Sequence, residues 1–294
     1  MKRPSPRVLA AVVLIAGVAL GTLSDRRPDR PARRAGGYEV LAGDFHVHAF
    51  PGDGALAPWT LRDEAARAGL DVFAVTNHNR TFTARFAGWL SASGDGPIVI
   101  PGEEITAPEY HLIAVGVRDT VPADEAAAAV ITAVHAQGGV AIAAHPGPAF
   151  HGYDDDGTVA ALDGVEAAHP VEKATDQAEF TAFFERAKRL KPRIAPIGSS
   201  DFHVSPELGQ CRTFVFARER TGEGVIEAIR AGRTVASDQQ GRLYGDPELV
   251  RLVADGGGAQ RPDVHAGWRR ISLSLVWFGV LGVLILNGGR RAPL

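Results

Sequence analysis

The run Asp44-Phe45-His46-Val47-His48 carries two imidazoles two residues apart. On a strand both point to one face and can hold one metal ion. Further oxygen and nitrogen donors follow in Asp53, His78, Glu104, His111, His145, Asp201 and His203. Taken singly, each has a plain explanation, since a lone His is most often a satisfied polar side chain and a loop Asp a turn former. Six histidines and three carboxylates meeting on one rim are not explained that way. The single cysteine, Cys211, excludes an intramolecular disulfide framework and a cysteine zinc site. The remaining donors suit Zn, Mn or Fe(II), and nine ligands are too many for one ion.

The elements that must position these donors read as alternating strands and helices. Apolar runs rich in Val and Ile recur at Tyr38–His48, Asp71–Thr76, Pro97–Ile100, His111–Val117, Val140–Ala144, Gly164–Ala167, Arg193–Ile197 and Thr213–Ala217. Ala-rich helical stretches lie between several of them, at Pro58–Ala68, Ala123–Gln137, Asp176–Leu190 and Gly224–Ala231. The alternation implies an α/β fold with a mainly parallel sheet and helices outside, whose active site belongs at the C-terminal strand ends. His46, His48, His78, Glu104, His145, Asp201 and His203 fall at or just after such ends, and His111 just before one.

Read together and in order, these motifs resemble the PHP (polymerase and histidinol phosphatase) domain. The matching residues are Asp44-Phe-His46-Val-His48 with Asp53-Gly54, Thr76-Asn77-His78, Gly102-Glu103-Glu104-Ile105-Thr106, His111-Leu112, Ala144-His145-Pro146 and Gly198-Ser-Ser-Asp201-Phe-His203. They cover about residues 40–240. Gly224–Ser237 is similar to the closing helix and turn of that domain, particularly in its carbamate-hydrolase-like branch. The resemblance implies a distorted (β/α)7 barrel holding two or three divalent ions. It implies a first ion on His46, His48, Glu104 and Asp201, a second sharing Glu104 and adding His111 and His145, and a third on Asp53, His78 and His203. Glu104 is preferred to Glu103 because it precedes the Ile-Thr pair, leaving Glu103 a structural role. Asn77 stands where many members carry Asp, so a charge beside His78 is missing.

Three divalent ions against Asp53, Glu104 and Asp201 leave a positive surplus that attracts phosphate oxygens. The expected activity is phosphoesterase, by attack of a metal-activated water on phosphorus, with Asp201 or His203 assisting proton transfer. A carbamate, ester or amide hydrolase uses the same chemistry, and a membrane-tethered metal-binding or sensing domain is the non-enzymatic alternative. A small-molecule or phosphate-ester substrate is the expected partner. The net charge of −3 offers no general attraction to nucleic acid, and no basic groove, stacking platform or polymerase segment is visible.

The 294 residues, 45% hydrophobic and 22% charged, have a globular balance. The organisation expected is a signal peptide or signal-anchor helix (1–23), a linker (24–37), the metallohydrolase domain (38–245), a juxtamembrane linker (246–270), a transmembrane helix (271–287) and a basic tail (288–294). Val8–Leu23 is apolar and preceded by Lys2, Arg3 and Arg7; Ile271–Leu286 is apolar and bracketed by Arg269, Arg270, Arg290 and Arg291. The lipid bilayer is therefore an expected partner, with the domain placed on the extracytoplasmic side. Among the other histidines, His135 and His265 are expected to be uninvolved, and His151 and His169 lie near the rim.

Overall fold

The computed structural model describes residues 4–24, 32–91, 96–170, 174–204, 207–256 and 266–288. Lys2, Arg3, His265, Arg290 and Arg291 lie outside the described residues, as do parts of the expected linkers and the basic tail. The chain forms two compact units, one of Met1–Asp29 with Pro262–Leu294 and one of Arg30–Arg261.

The smaller unit holds α1 (Pro6–Ser24), and its second helix, Ala266–Gly288, closes the chain. These two helices pack antiparallel along small residues: a Cβ on Gly17 would meet the Val276 nitrogen at 2.8 Å, and one on Gly279 would meet Leu14 at 2.6 Å. Ser272 Oγ donates to Gly17 O at 2.8 Å. By length and composition α1 can cross a bilayer, whereas the apolar stretch of the second helix, Ile271–Leu286, is shorter.

In the larger unit β1 (Arg34–Ala35) and β2 (Tyr38–Val47) form a hairpin, because Gly36 and Gly37 supply the positive φ its turn needs. Residues read as the end of a linker are thus already in the sheet. There follow α2 (Pro58–Ala68), β3 (Val72–Val75), α3 (Phe82–Ser91), β4 (Ile98–Ala107), β5 (Tyr110–Val115), α4 (Ala127–Ala136), β6 (Val140–Ala143), α5 (Asp156–Ala161), β7 (Gly164–Ala168), α6 (Ala174–Leu190) and β8 (Ala195–Gly198). The chain continues with β9 (Arg212–Ala217), α7 (Gly222–Arg230), β10 (Thr234–Ser237), β11 (Leu243–Gly245) and α8 (Pro247–Asp255), and α9 is the helix Ala266–Gly288. The α8 helix lies where the juxtamembrane linker was expected; Asp246 caps it through Glu248 N at 2.9 Å. Its Val253 packs with Val40, Phe214, Phe216 and Val235 on the outer face of the sheet.

The sheet runs β11-β10-β9-β2-β3-β4-β5-β6-β7-β8 and curls into a nearly closed barrel. Only β2-β3-β4 and β6-β7-β8 pair in parallel, so the expectation of a mainly parallel sheet is corrected. The helices α2, α3, α5 and α6 each lie between strands that pair in parallel, whereas α4 and α7 lie between strands that pair antiparallel, and the short turn between β4 and β5 forces an antiparallel hairpin. That hairpin and the β9-β10-β11 meander make the path ten strands long, where the resemblance implied seven. The open seam is bridged by Thr213 Oγ1, which accepts from Gly198 N and donates to Gly198 O, both at 2.9 Å. Gly198 is obligatory there, since a Cβ would meet Arg212 O at 2.4 Å. Leu41, Phe45, Val72, Ile113, Ile142, Ile197 and Val215 fill the interior together with Val225 and Ile229 of α7. Against the outer faces, α2 and α3 cover one side and α4 and α6 another.

Candidate metal centre

The β2 strand carries the first donors, and its geometry departs from simple alternation. Leu41 and Phe45 face the interior, which by a strict period of two would send His46 outward. A register shift against β3 intervenes between Asp44 and Val47, resetting the alternation so that Val47 joins the outer cluster and His46 and His48 turn inward together. Asp44, left buried on the other side, accepts from Ser200 Oγ at 2.5 Å, Ser200 N at 3.0 Å and Gly209 N at 2.8 Å. Burial pushes its carboxyl up to about 6 against those hydrogen bonds. Asp44 thus fixes the loop that presents Asp201 and His203, a role signalled in the sequence only by its place before His46.

The β4-β5 hairpin supplies the next pair. Glu104 points inward and Glu103 outward, where its Oε1 accepts from Val121 N at 2.6 Å; this is the structural role expected of it. That bond and Tyr110 Oη donating to Glu125 O at 2.7 Å hold residues 121–125 out of the helix, so α4 begins at Ala127 and not at Ala123. His111 lies opposite Thr106 at the first turn of β5, on the rim because the strand runs antiparallel. Its Nδ1 stands 2.8 Å from Glu104 Oε1, with His145 Nε2 3.4 Å from the same oxygen. Tyr153 Oη donates to His111 O at 2.5 Å from beneath.

Among the described residues, three outside glycine have a left-handed backbone: Asn79, His145 and Asp201, all at this rim. Such strain persists where surroundings over-determine it and clusters at functional sites. Asn79 is clamped by Thr106 N, which donates to its Oδ1 at 2.8 Å, and this strap holds His78 over Glu104.

Around the middle of the rim, His46 Nε2 lies 3.3 Å from Glu104 Oε2 and 3.2 Å from Asp201 Oδ1, and His48 Nε2 lies 3.4 and 3.3 Å from the same two oxygens. Tetrahedral ligands about 2.0–2.1 Å from one ion are roughly 3.3–3.4 Å apart. These four buried atoms, together with Glu104 Oε1, His111 Nδ1 and His169 Nε2, have no hydrogen-bond partner. Buried polar atoms are otherwise nearly always paired, so the donor set fits bound cations. The rings are held in orientation for ligation: His46 Nδ1 donates to Glu166 Oε1 at 3.1 Å and His48 Nδ1 to Asp53 Oδ1 at 3.1 Å, which turns both Nε2 atoms inward.

Charge reinforces the picture. Burial opposes ionisation of Glu104 and Asp201, yet the surrounding imidazoles together outweigh it, His46 with His111 and His145 at Glu104 and His46 with His169 and His48 at Asp201, and hold both well below the usual carboxylate range. Burial likewise pulls His46 down, but Asp201, Glu104 and Glu166 carry it well above its ordinary value.

Toward the mouth, Asp53 Oδ2 lies 3.0 Å from His78 Nε2 and 3.2 Å from His203 Nε2. All nine predicted donors are therefore brought together. Two residues the sequence reading left aside join them. Glu166, in the middle of β7 beside a second register shift, accepts from His46 Nδ1, from Ser199 Oγ at 2.6 Å and from His145 N at 2.5 Å. His169 donates from Nδ1 to Pro170 O at 2.9 Å and aims Nε2 at Asp201 Oδ2, 3.5 Å away. Their signal was position alone, within and just past one strand. Conversely, His135 pairs with Asp163 at 2.7 Å and His151 with Asp154 at 3.2 Å, both outside the cluster. Asn77 does not face His78: it spans Ala49, accepting from its nitrogen at 3.1 Å and donating to its carbonyl at 2.6 Å.

Comparison with known proteins agrees with the architecture. The PHP-associated family model matches residues 186–234. A two-domain protein from Bacteroides vulgatus containing a predicted PHP-like metal-dependent phosphoesterase shares the fold with a TM-score of 0.63 and 23% identity, over 78% of this chain and 74% of that one. An amidohydrolase from Chromobacterium violaceum with bound sulfate aligns over 75% of this chain and 98% of its own, at 17% identity and a TM-score of 0.44. No curated protein matches by sequence.

Proposed function

We propose that the chain is a metal-dependent hydrolase of phosphate esters. The observation that carries this reading is the quartet His46 Nε2, His48 Nε2, Glu104 Oε2 and Asp201 Oδ1, spaced as a coordination shell and without protein partners. His46, His48, Glu104 and Asp201 would hold one divalent ion; Glu104 with His111 and His145 a second; Asp53, His78 and His203 a third. Bound there, such ions neutralise charge on a phosphoryl group and acidify a water to near-neutral pKa.

The residues do the positioning. Glu104 offers its two oxygens to two neighbouring groups, tying their spacing to one side chain. Glu166 keeps the His46 ring turned inward, and Asp53 does the same for His48. Asp201 and His203, the groups proposed to assist proton transfer, meet at 3.5 Å between Oδ1 and Nδ1 at the edge of the cluster. The surplus of positive charge over the three carboxylates favours an anionic ester over a neutral amide. The apolar helix α1 supports a tether to a bilayer, with the domain on the extracytoplasmic side.

The test is elemental analysis of the purified chain beside its hydrolysis of a phosphomonoester, a phosphodiester and an aryl ester with added Mn or Zn. Bound metal with phosphate release is expected; aryl ester turnover alone would replace the phosphoesterase reading by the carbonyl hydrolase, and absence of metal under replete conditions would end both.

A further inference from the structure

Helix α3 is apolar on both sides. Thr83, Ala84 and Ala87 are buried against the barrel, while Phe82, Phe86 and Trp89 on the opposite side are 70%, 37% and 71% exposed. The spacing i, i+4, i+7 sets these rings in one stripe. Phe86 and Trp89 stack at 5.9 Å, so the stripe is an ordered surface. Aromatic side chains of about 150–250 Å² each leave roughly 300–400 Å² of apolar surface here, the scale that marks an interaction site on a soluble face. Phe50, 59% exposed, lies on the adjoining loop, where Pro51 O accepts from Thr83 Oγ1 at 2.7 Å.

The occupant is indicated by charge and size. Arg80 and Arg85 are exposed beside the rings, and residues 79–91 contain no Asp or Glu. A self-association interface needs about 800 Å² per partner, roughly twice this patch. Rings of Trp and Phe flanked by guanidinium groups suit the boundary between acyl chains and anionic headgroups. The same chain carries α1, long and apolar enough to cross a bilayer. Arg80 Nε also donates to His78 O at 3.3 Å, so the patch adjoins a rim residue of the metal centre.

We propose that the α3 face bearing Phe82, Phe86 and Trp89 docks into the interface of an anionic lipid bilayer, bringing the mouth of the metal centre to the headgroup layer. The proposal rests on the tether reading of α1, and the experiment separates the two. The full chain is reconstituted in bilayer discs of phosphatidylcholine and phosphatidylglycerol containing brominated acyl chains. One variant retains Trp89 alone (W59F/W268F/W277F) and another Trp277 alone (W59F/W89F/W268F). Quenching and a blue shift of Trp89 emission are expected, reduced by R80E/R85E in anionic discs. Trp277 quenched with Trp89 unquenched overturns the docking and leaves the tether; Trp89 quenched without Trp277 supports docking and removes α9 from the bilayer. Neither quenched overturns the docking, and failure of the chain to co-elute with the discs overturns the α1 tether. Shielding of Trp89 that grows with protein concentration in detergent and is absent from the discs assigns the face to a second copy and overturns the proposal.

Discussion

The inner and outer corners of the metal centre are built from the same residue types under opposite conditions. At the inner corner His46, His48 and Glu104 are almost wholly buried, their inward atoms have no protein partner, and a further buried carboxylate, Glu166, locks the ring of His46. At the outer corner Asp53, His78 and His203 are 41%, 36% and 31% exposed and satisfy one another. A buried unpaired donor costs more than a wet one, so the inner corner gains far more from a cation. The difference teaches that shared chemistry need not mean shared affinity: the inner group has the geometry proposed for a preorganised ion site, and the outer group is open to water.

Removing the residue on which the inner corner turns tests that asymmetry most severely. Glu104→Ala is expected to strip the ions that share its two oxygens and lower hydrolysis by about 10³-fold or more, on the scale of several kcal/mol of charge stabilisation. Metal content per chain and turnover with added Mn or Zn check it; retention of inner metal by the variant breaks the comparison.

Glu166→Gln acts one bond further out. It keeps the side chain's shape but weakens the grip on His46, and metal affinity should fall by about 10–100-fold with the fold intact. A pH signature accompanies it. Burial raises the Glu166 carboxyl, but the His46 charge and hydrogen bond together with the charges of His169 and His145 outweigh that and hold it down to about 2 in the folded, metal-free protein, against 4.5 for the ordinary group. A depressed folded value means stability that is present above 4.5 and lost as pH falls through about 2. The metal-free variant should therefore lose less stability between pH 6 and pH 2.5 than the parent in urea titrations; parallel losses would remove Glu166 from the charge network.

Asp53→Asn addresses the outer corner alone. It should lower metal content by at most one ion per chain and activity by about tenfold, since His46, Glu104 and Asp201 are untouched and His48 keeps a hydrogen-bonding partner. Loss of every ion would mean that the corners are one cooperative site.

How much of this the sequence discloses follows from which interactions are local. Donors at strand ends are legible because strand runs and His or Asp punctuation are local, and all nine meet in space. The two β-bulges are not: a shift in β2 depends on its pairing with β3, and without it His46 would face away. Glu166 and His169 were illegible for the same reason, since their partners are 120 residues or more away for His46 and on another loop for Asp201. The antiparallel strands are not legible either, because a helix between two strands does not by itself make them parallel, as α4 and α7 show. Helix α8 was hidden by its place next to an apolar terminus, although Asp246-Pro247-Glu248 is a sound helix start.

The smallest effect on chemistry, and the sharpest on a sequence-based expectation, belongs to Asn77. The missing carboxylate there suggests a weakened outer ion, yet the side chain lies across the 49–54 loop, donating to Ala49 O and accepting from Ala49 N, while a Cβ on Gly52 would fall 1.8 Å from its Nδ2. An aspartate can accept but cannot donate when ionised. Asn77→Asp should consequently oppose two carbonyl oxygens, those of Ala49 and Pro51, and destabilise the domain by about 1–3 kcal/mol without strengthening the outer ion. Thermal denaturation of the metal-free chain reads the first effect and metal titration the second. A tighter outer ion at unchanged melting temperature would return Asn77 to the metal centre; the expected loss of stability alone keeps it a loop clamp, and makes the exposure of Asp53 and His203 the cause of the outer corner's weaker hold.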